Sequence, residues 1–300
     1  MGYSPEGSLK VFAKQLTFVA SLLALVATSS AQDANVQTST LKKIQQTNTI
    51  VIAHREAYLP FSFLDPNKKP IGYSLDLCHK IISAIKNELK LPGLQVKYVM
   101  VDPSNRIQTI KEGKADLECS GTTHTLSRRK DVDFSLSVMI SASRLVVRKS
   151  TGIKEIEDLN GKKIAAASNT TMLKGAKQVA KDAKIEPKFI ETKDHDAAFA
   201  MMVKGEVDAA VLEDLVALPM IAKEKEPTKY MTTGRDLSFD PNALMLRQND
   251  SDFRAVVDRA LARTFTSGEI FQIYEKWFKP LNQPVTEAFK GAVRAQSIPE

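Results

Sequence analysis

Along this chain, unbroken apolar runs alternate with stretches where apolar positions recur every three or four residues. Thr49-Ile-Val-Ile-Ala53 is a continuous run of the kind buried on both faces in a parallel sheet. After loop signals at Pro60, Asp65–Pro70 and Gly72, the stripe Leu77, Ile81, Ile85, flanked by Cys78, Ile82 and Leu89, predicts a helix capped by Ser74. Gln95–Val101 reads as the next strand, Asp102-Pro-Ser-Asn opens a helix ending at Gly113, and the strand Ala115–Cys119 follows. A short helix capped by Ser39 or Thr40 precedes the first strand. The rhythm restarts at Gly161–Ala167, with helices near 171–182 and 195–204 and strands at Lys188–Glu191 and 208–213. Strand–helix alternation predicts α/β folding with parallel sheets.

A helix that stops at Gly-x-x-Asp and feeds an apolar strand occurs twice, at Gly113–Asp116 and, 92 residues later, at Gly205–Asp208. Glycine suits the left-handed position that ends a helix, and the aspartates are expected to turn the chain into Leu117–Cys119 and Ala209–Leu212. One copy means little, because any helix-to-strand turn favours glycine. Two copies predict two α/β lobes with a cleft between them. Ser141–Arg148 and Asn242–Arg247 flank one complete lobe, so the chain is expected to cross over and return along a two-strand hinge, with helices Phe253–Ser267 and Glu269–Phe278 on the first lobe. The expected lobes are residues 32–142 plus 243–283, and 143–242. Residues 284–300 form a tail, read as either a surface helix or a partly disordered segment.

The first 31 residues change the picture. Lys10 and Lys14, the apolar run Phe18–Ala27, and the small residues Ser29 and Ala31 have the form of a cleavable export signal, too short to span a bilayer. Removing them leaves 269 residues and lowers the net charge from +7 to +6, since Lys10, Lys14 and Glu6 go together. The basic residues are scattered, which argues against nucleic acid. Cys78 and Cys119 form one disulfide or remain a buried thiol on the helix face. Histidine and cysteine spacings give no metal site, and no hydrolase, zincin or P-loop signature is present. No cofactor is expected.

Val51–Glu56, Pro60-Phe-Ser-Phe63, Gly72–Asp76, Asn105-Arg-Ile107, Arg128 through Ser135, Asp158–Lys162, Lys193-Asp-His195 and Ser267-Gly-Glu269 stand in an order that resembles the periplasmic amino-acid-binding proteins of ABC importers. Within these, the chain is most similar to the glutamate/aspartate-binding branch. The resemblance implies a type II periplasmic-binding-protein fold, a monomer, lobe closure on an amino acid, and docking on a membrane permease. It implies that Arg128 grips the α-carboxylate with Thr123, aided by the helix start at Ser168-Asn-Thr170-Thr171, and that Asp214 pairs with the α-ammonium. Arg55, Arg106 and His195 are then candidates for the side-chain carboxylate, because two carboxylates and one ammonium need cationic forks and an anion.

Each residue also has a plainer reading. Arg106 fits a solvated helix, Asp214 a cap for Leu215–Ala222, and His195 the neighbour of an N-cap; Arg129 and Lys130 compete with Arg128. Arg55 follows a buried strand, where α/β sheets bind ligands. The resemblance implies glycine then serine after the strand cysteine, whereas this chain has Ser120-Gly121; if that serine contacts ligand in the family, its position has moved or been lost here. The alternatives are carriage of glutamine or asparagine, an exported cyclohexadienyl dehydratase using His195 and Glu213, and a sensing module. The export signal and the absence of a helix-turn-helix or a later membrane run weigh against the last.

Overall fold

The computed structural model describes residues 1–2 and 39–299, so the segment read as an export signal lies outside the described residues. The first elements are α1 (Thr40–Thr47), β1 (Thr49–His54), β2 (Ala57–Tyr58), β3 (Ser62–Leu64), β4 (Pro70–Ile71), α2 (Tyr73–Glu88), β5 (Gln95–Met100), α3 (Arg106–Lys111) and β6 (Leu117–Thr123). A long β7 (Val132–Arg148) leads to β8 (Lys163–Ala167), α4 (Thr171–Asp182), β9 (Lys188–Thr192), α5 (His195–Lys204), β10 (Ala209–Glu213) and α6 (Asp214–Ala222). An equally long β11 (Tyr230–Arg247) returns to α7 (Ser251–Thr266), α8 (Glu269–Phe278) and α9 (Glu287–Ala295). No described helix is long and apolar enough to cross a membrane.

Eight strands form one mixed sheet in the order β5-β1-β6-β11-β7-β10-β8-β9. At one end β1 lies parallel to β5 and β6; at the other, β8 lies parallel to β9 and β10. Between them β7 and β11 run antiparallel, paired from Tyr230↔Arg148 to Arg247↔Val132. The short runs expected at 141–148 and 242–247 are thus the ends of two strands that span the molecule. The buried side chains group accordingly. Ile50, Ile52, Leu117, Leu246, Phe253 and Phe278 pack on one face of the first lobe, with Ala53, Val132 and Met245 on the other. In the second lobe Val147, Ile164 and Val211 pack on one face, with Val146, Ala165 and Leu212 on the other. A strand buried on both faces needs an unbroken apolar run, which is why these strands are visible in the sequence.

The repeated aspartates do more than turn the chain. Asp116 accepts the Val51 backbone N–H at 2.9 Å, and Asp208 accepts the Lys163 N–H at 2.9 Å, while each donates its own N–H to that residue's carbonyl. Each copy therefore clips its strand to the start of the neighbouring parallel strand. Gly113 and Gly205 have φ of 69° and 80°, the left-handed conformation that a helix stop requires.

Two expected caps differ. Ser74 lies inside α2 behind Gly72, and its hydroxyl donates to the Ser120 carbonyl at 2.9 Å. Ser39 holds the N-cap position of α1 without a side-chain bond, because the Thr40 hydroxyl and N–H both go to Asp250. Cys78 and Cys119 are disulfide-bonded with their Cα atoms 6.3 Å apart, which ends the free-thiol alternative and ties α2 to β6. The tail forms α9, whose Phe289 and Val293 join the first core.

Candidate functional site

The candidate residues gather at the C-terminal ends of the parallel strands, where both lobes leave the sheet. Arg55 follows β1 and is 3% exposed, its backbone held by the Ser62 hydroxyl at 2.9 Å. Its guanidinium carbon stands 5.2 Å over the Tyr58 ring. Arg106 opens α3 and is buried rather than solvated. His195 opens α5 directly after its N-cap Asp194, and it also turns inward, with its ring 5.1 Å from Tyr58. Tyr58 belongs to the first lobe and His195 to the second, so this group bridges the two.

Arg55 Nη1, Arg106 Nε and His195 Nδ1 are buried and have no hydrogen-bond partner among the described residues. Unpaired buried donors are costly, so the two arginine donors, with the His195 ring nitrogen near them, mark a place built for an acceptor. Burial and the Arg106 charge both lower the Arg55 pKa. Burial, then Arg55 and Arg106, hold the His195 imidazole well below its ordinary value, so it is neutral at pH 7.

Arg128 rather than Arg129 faces inward. Its Nη1 donates to the Thr123 carbonyl at 2.7 Å and its Nη2 to the Asn169 carbonyl of the second lobe at 3.2 Å. Burial and Arg106 lower its pKa to about 9, which leaves it charged at neutral pH. The Thr123 and Thr171 hydroxyls lie 3.1 Å apart, one from each lobe, and donate to the same oxygen of Asp240 at 2.9 and 2.6 Å. Thr170 is occupied as the N-cap of α4, accepting the Leu173 N–H and donating to the Ala167 carbonyl. Ser120 is fully buried, and its hydroxyl donates to Glu118 inside β6. Gly121 lies against Tyr58, where an added Cβ would meet the ring at 2.7 Å.

Asp214 stands apart from the arginines. It is the first residue of α6, half-buried, with its carboxylate accepting its neighbour's N–H at Leu215 at 2.7 Å. Glu213 beside it is 1% exposed and accepts the Tyr58 hydroxyl of the other lobe at 2.9 Å. Burial and the nearby Asp240 carboxylate raise its pKa to about 8, so it is a neutral acid at pH 7. Tyr58, Glu118 and Asp240 were not singled out in the sequence. Glu118 left a signal, a carboxylate between the apolar Leu117 and Cys119 of a strand; Asp240 left none, since Phe239-Asp-Pro241 reads as a turn.

Buried at the strand ends, Arg55, Arg106 and Arg128 stand against the carboxylates of Glu118 and Asp240, with Glu213 and His195 neutral and the half-buried Asp214 alongside. No cluster of three metal-ligating side chains occurs among the described residues.

Residues 50–280 match the bacterial extracellular solute-binding proteins, family 3. This chain belongs to that family. It is 38% identical over 269 residues to the L-glutamate/L-aspartate-binding protein of Pseudomonas aeruginosa, covering 87% of this chain and 89% of the relative. It is 34% identical to the glutamate/aspartate import solute-binding protein of Escherichia coli, covering 80% of each. Among solved structures, an ancestral arginine-binding protein bound to arginine superposes with a TM-score of 0.68 at 31% identity, over 77% of this chain and 98% of that one. An ancestral amino-acid-binding protein that is a precursor of cyclohexadienyl dehydratase gives 0.68 at 28% identity, over 80% and 99%. Family membership accounts for the two-lobed α/β architecture, which is that of a type II binding protein.

Proposed function

We propose that this solute-binding protein takes an acidic L-amino acid, glutamate or aspartate, into the cleft, closes its lobes on it, and delivers it to the permease of an ABC importer. One observation carries the reading. The buried strand ends bring together three arginines, and Arg55 and Arg106 carry donors with no partner among the described residues. An acidic amino acid carries two carboxylates and one ammonium, and its second carboxylate supplies acceptors for those donors. In this assignment Arg128, Thr123 and the start of α4 at Thr170 and Thr171 hold the α-carboxylate. Ser120 and Gly121 form the wall beside it, Arg55, Arg106 and His195 take the side-chain carboxylate, and Asp214 faces the ammonium. The glutamate/aspartate-binding relatives support the same ligand class. The protein acts as a monomer in the periplasm after loss of residues 1–31, with lobes of residues 32–142 plus 243–283 and 143–242.

Calorimetry on two variants tests the assignment. Arg128→Ala is expected to abolish binding of glutamate, aspartate, glutamine and asparagine alike, because stranding a buried charge costs about 3–5 kcal/mol. Arg106→Ala is expected to weaken only the acidic pair. Equal losses for glutamate and glutamine in Arg106→Ala would sink the side-chain assignment. A second reading, a dehydratase on this scaffold, draws on the neutral acid Glu213 and on the dehydratase-precursor neighbour. Turnover of prephenate or arogenate by the purified protein would establish it.

A further inference from the structure

The two lobes treat the charges on their corresponding helices differently. On α2 of the first lobe, Asp76 is paired with Lys276 at 2.6 Å, Glu88 with Arg259 at 2.8 Å, and Lys80 with Glu269. On α4 of the second lobe, Met172, Ala176 and Ala180 are buried, while Lys174, Lys177 and Lys181 are exposed, followed by the exposed Lys184 just past the helix end. Their spacing of three, four and three residues places the four ammonium groups in one stripe about 15 Å long. Lys174, Lys181 and Lys184 make no ion pair with a described residue, and Lys177 has only Glu191, at 2.8 Å with both side chains nearly half exposed. Such surface pairs contribute little. The other carboxylates between 174 and 191 are Asp182, which accepts the Gln178 amide at 2.8 Å, and Glu186 in the following loop. Beyond the stripe, the exposed Lys188 stands directly beside the exposed Lys163 in the β8–β9 pairing, a like-charged neighbour that costs stability unless an anion lies over it.

We propose that the lysine stripe of α4 is the face by which the second lobe rests on anionic phospholipid headgroups of the membrane that holds the importer. The inference rests on the reading of the protein as a carrier that delivers its solute at a membrane. Two observations favour headgroups over an acidic protein. No large apolar side chain is exposed on α4 or β9, and protein interfaces are built around an apolar or aromatic centre. No arginine occurs between Arg148 and Arg235, so the positive charge of this lobe's surface is all lysine, a compact point charge, and lacks the planar fork that matches a fixed carboxylate. A row of unpaired lysines meets a diffuse, phosphate-bearing surface with several ammonium groups at once. The apolar side of α4 stays in the core of the lobe, so the contact is peripheral, without insertion. It leaves solute affinity unchanged and confines the search for the permease to the membrane plane.

The test is co-sedimentation of the full mature protein with vesicles of phosphatidylcholine alone or with about one-third phosphatidylglycerol, at about 20 mM and about 150 mM salt. The wild type should bind the anionic vesicles and not the neutral ones, and binding should fall severalfold at the higher salt, where the screening length shortens to about 8 Å. Replacing Lys174, Lys181 and Lys184 together by glutamine should weaken vesicle binding about tenfold or more, and replacing them by glutamate should weaken it further. Lys42→Glu with Lys90→Glu and Lys97→Glu makes the same change in net charge on the first lobe, and it should keep vesicle binding within about threefold of the wild type. None of these lysines lies at the cleft, so calorimetry should find glutamate affinity within about twofold of the wild type in every variant, which also shows that each is folded. A wild type that ignores both kinds of vesicle, or binds both alike, overturns the inference. So does an equal loss in the two glutamate-substituted variants. Failure of the wild type to bind any amino acid contradicts instead the carrier reading on which the inference stands.

Discussion

Gly121 sits where the Tyr58 ring leaves no space for a methyl group, since its added Cβ would lie 2.7 Å from the ring edge. The ring cannot retreat, because Phe61 stacks against it at 5.4 Å and its hydroxyl is bound to Glu213. Gly121→Ala should therefore lower stability by about 1–3 kcal/mol through overpacking. Thermal melting with and without glutamate should show a lowered midpoint and a smaller ligand-induced rise, because Tyr58 also underlies Arg55. Glu213 gives a second residue-scale effect, this time on stability. Its folded pKa is about 8 against an ordinary 4.5, so the unfolded chain loses the proton first. Stability then declines as pH rises from about 4.5 to about 8 and levels off above. Glu213→Gln has no such titration, so its melting temperature should gain on the wild type's across that interval; a constant gap from pH 5 to 9 would contradict the assigned neutral state.

At the scale of elements, β6 is fastened at three points. The Cys78–Cys119 disulfide joins it to α2, the Ser74 hydroxyl holds the Ser120 carbonyl, and Asp116, the residue just before it, is bonded to Val51 of β1. The double substitution Cys78→Ser with Cys119→Ser should cost about 2–4 kcal/mol, read as a drop in melting midpoint that reductant does not deepen. What the sequence reveals follows from burial. Strands such as β1 and β10 are covered on both faces and so read as unbroken apolar runs, and helices such as α2 carry one apolar stripe. Most of β7 and β11 went unread because serines and aspartates interrupt them: Asp133, Ser135 and Ser137 on one, Asp236, Ser238 and Asp240 on the other. The arginines were legible because each follows an element whose end was already visible. Tyr58, Glu118 and Asp240 were not, since their roles arise between segments far apart in sequence. Asp240 meets Thr123 and Thr171, separated from it by 117 and 69 positions.

Across the whole molecule, the last helix completes the first lobe. Phe289 of α9 lies 4.7 Å from the Tyr274 ring, and the Gln296 amide pairs with the Ser137 backbone through both its oxygen and its nitrogen. These contacts lie far from the arginines, so ending the chain after Gln283 should lower the melting temperature and leave glutamate affinity within about twofold of the full protein. Lobe closure, by contrast, depends on bonds at the cleft itself, namely Tyr58 to Glu213, Arg128 to Asn169, and the two threonines on Asp240. The central claim is that the unpartnered donors of Arg55 and Arg106 select a solute that brings a second carboxylate. Titration calorimetry of the wild-type protein at pH 7 with L-glutamate, L-aspartate, L-glutamine and L-asparagine tests it most directly. The account predicts that both acidic amino acids bind and that each amide analogue binds at least about a hundredfold more weakly, since it leaves a buried cation unpaired. Glutamine or asparagine binding as tightly as its acidic counterpart would contradict it.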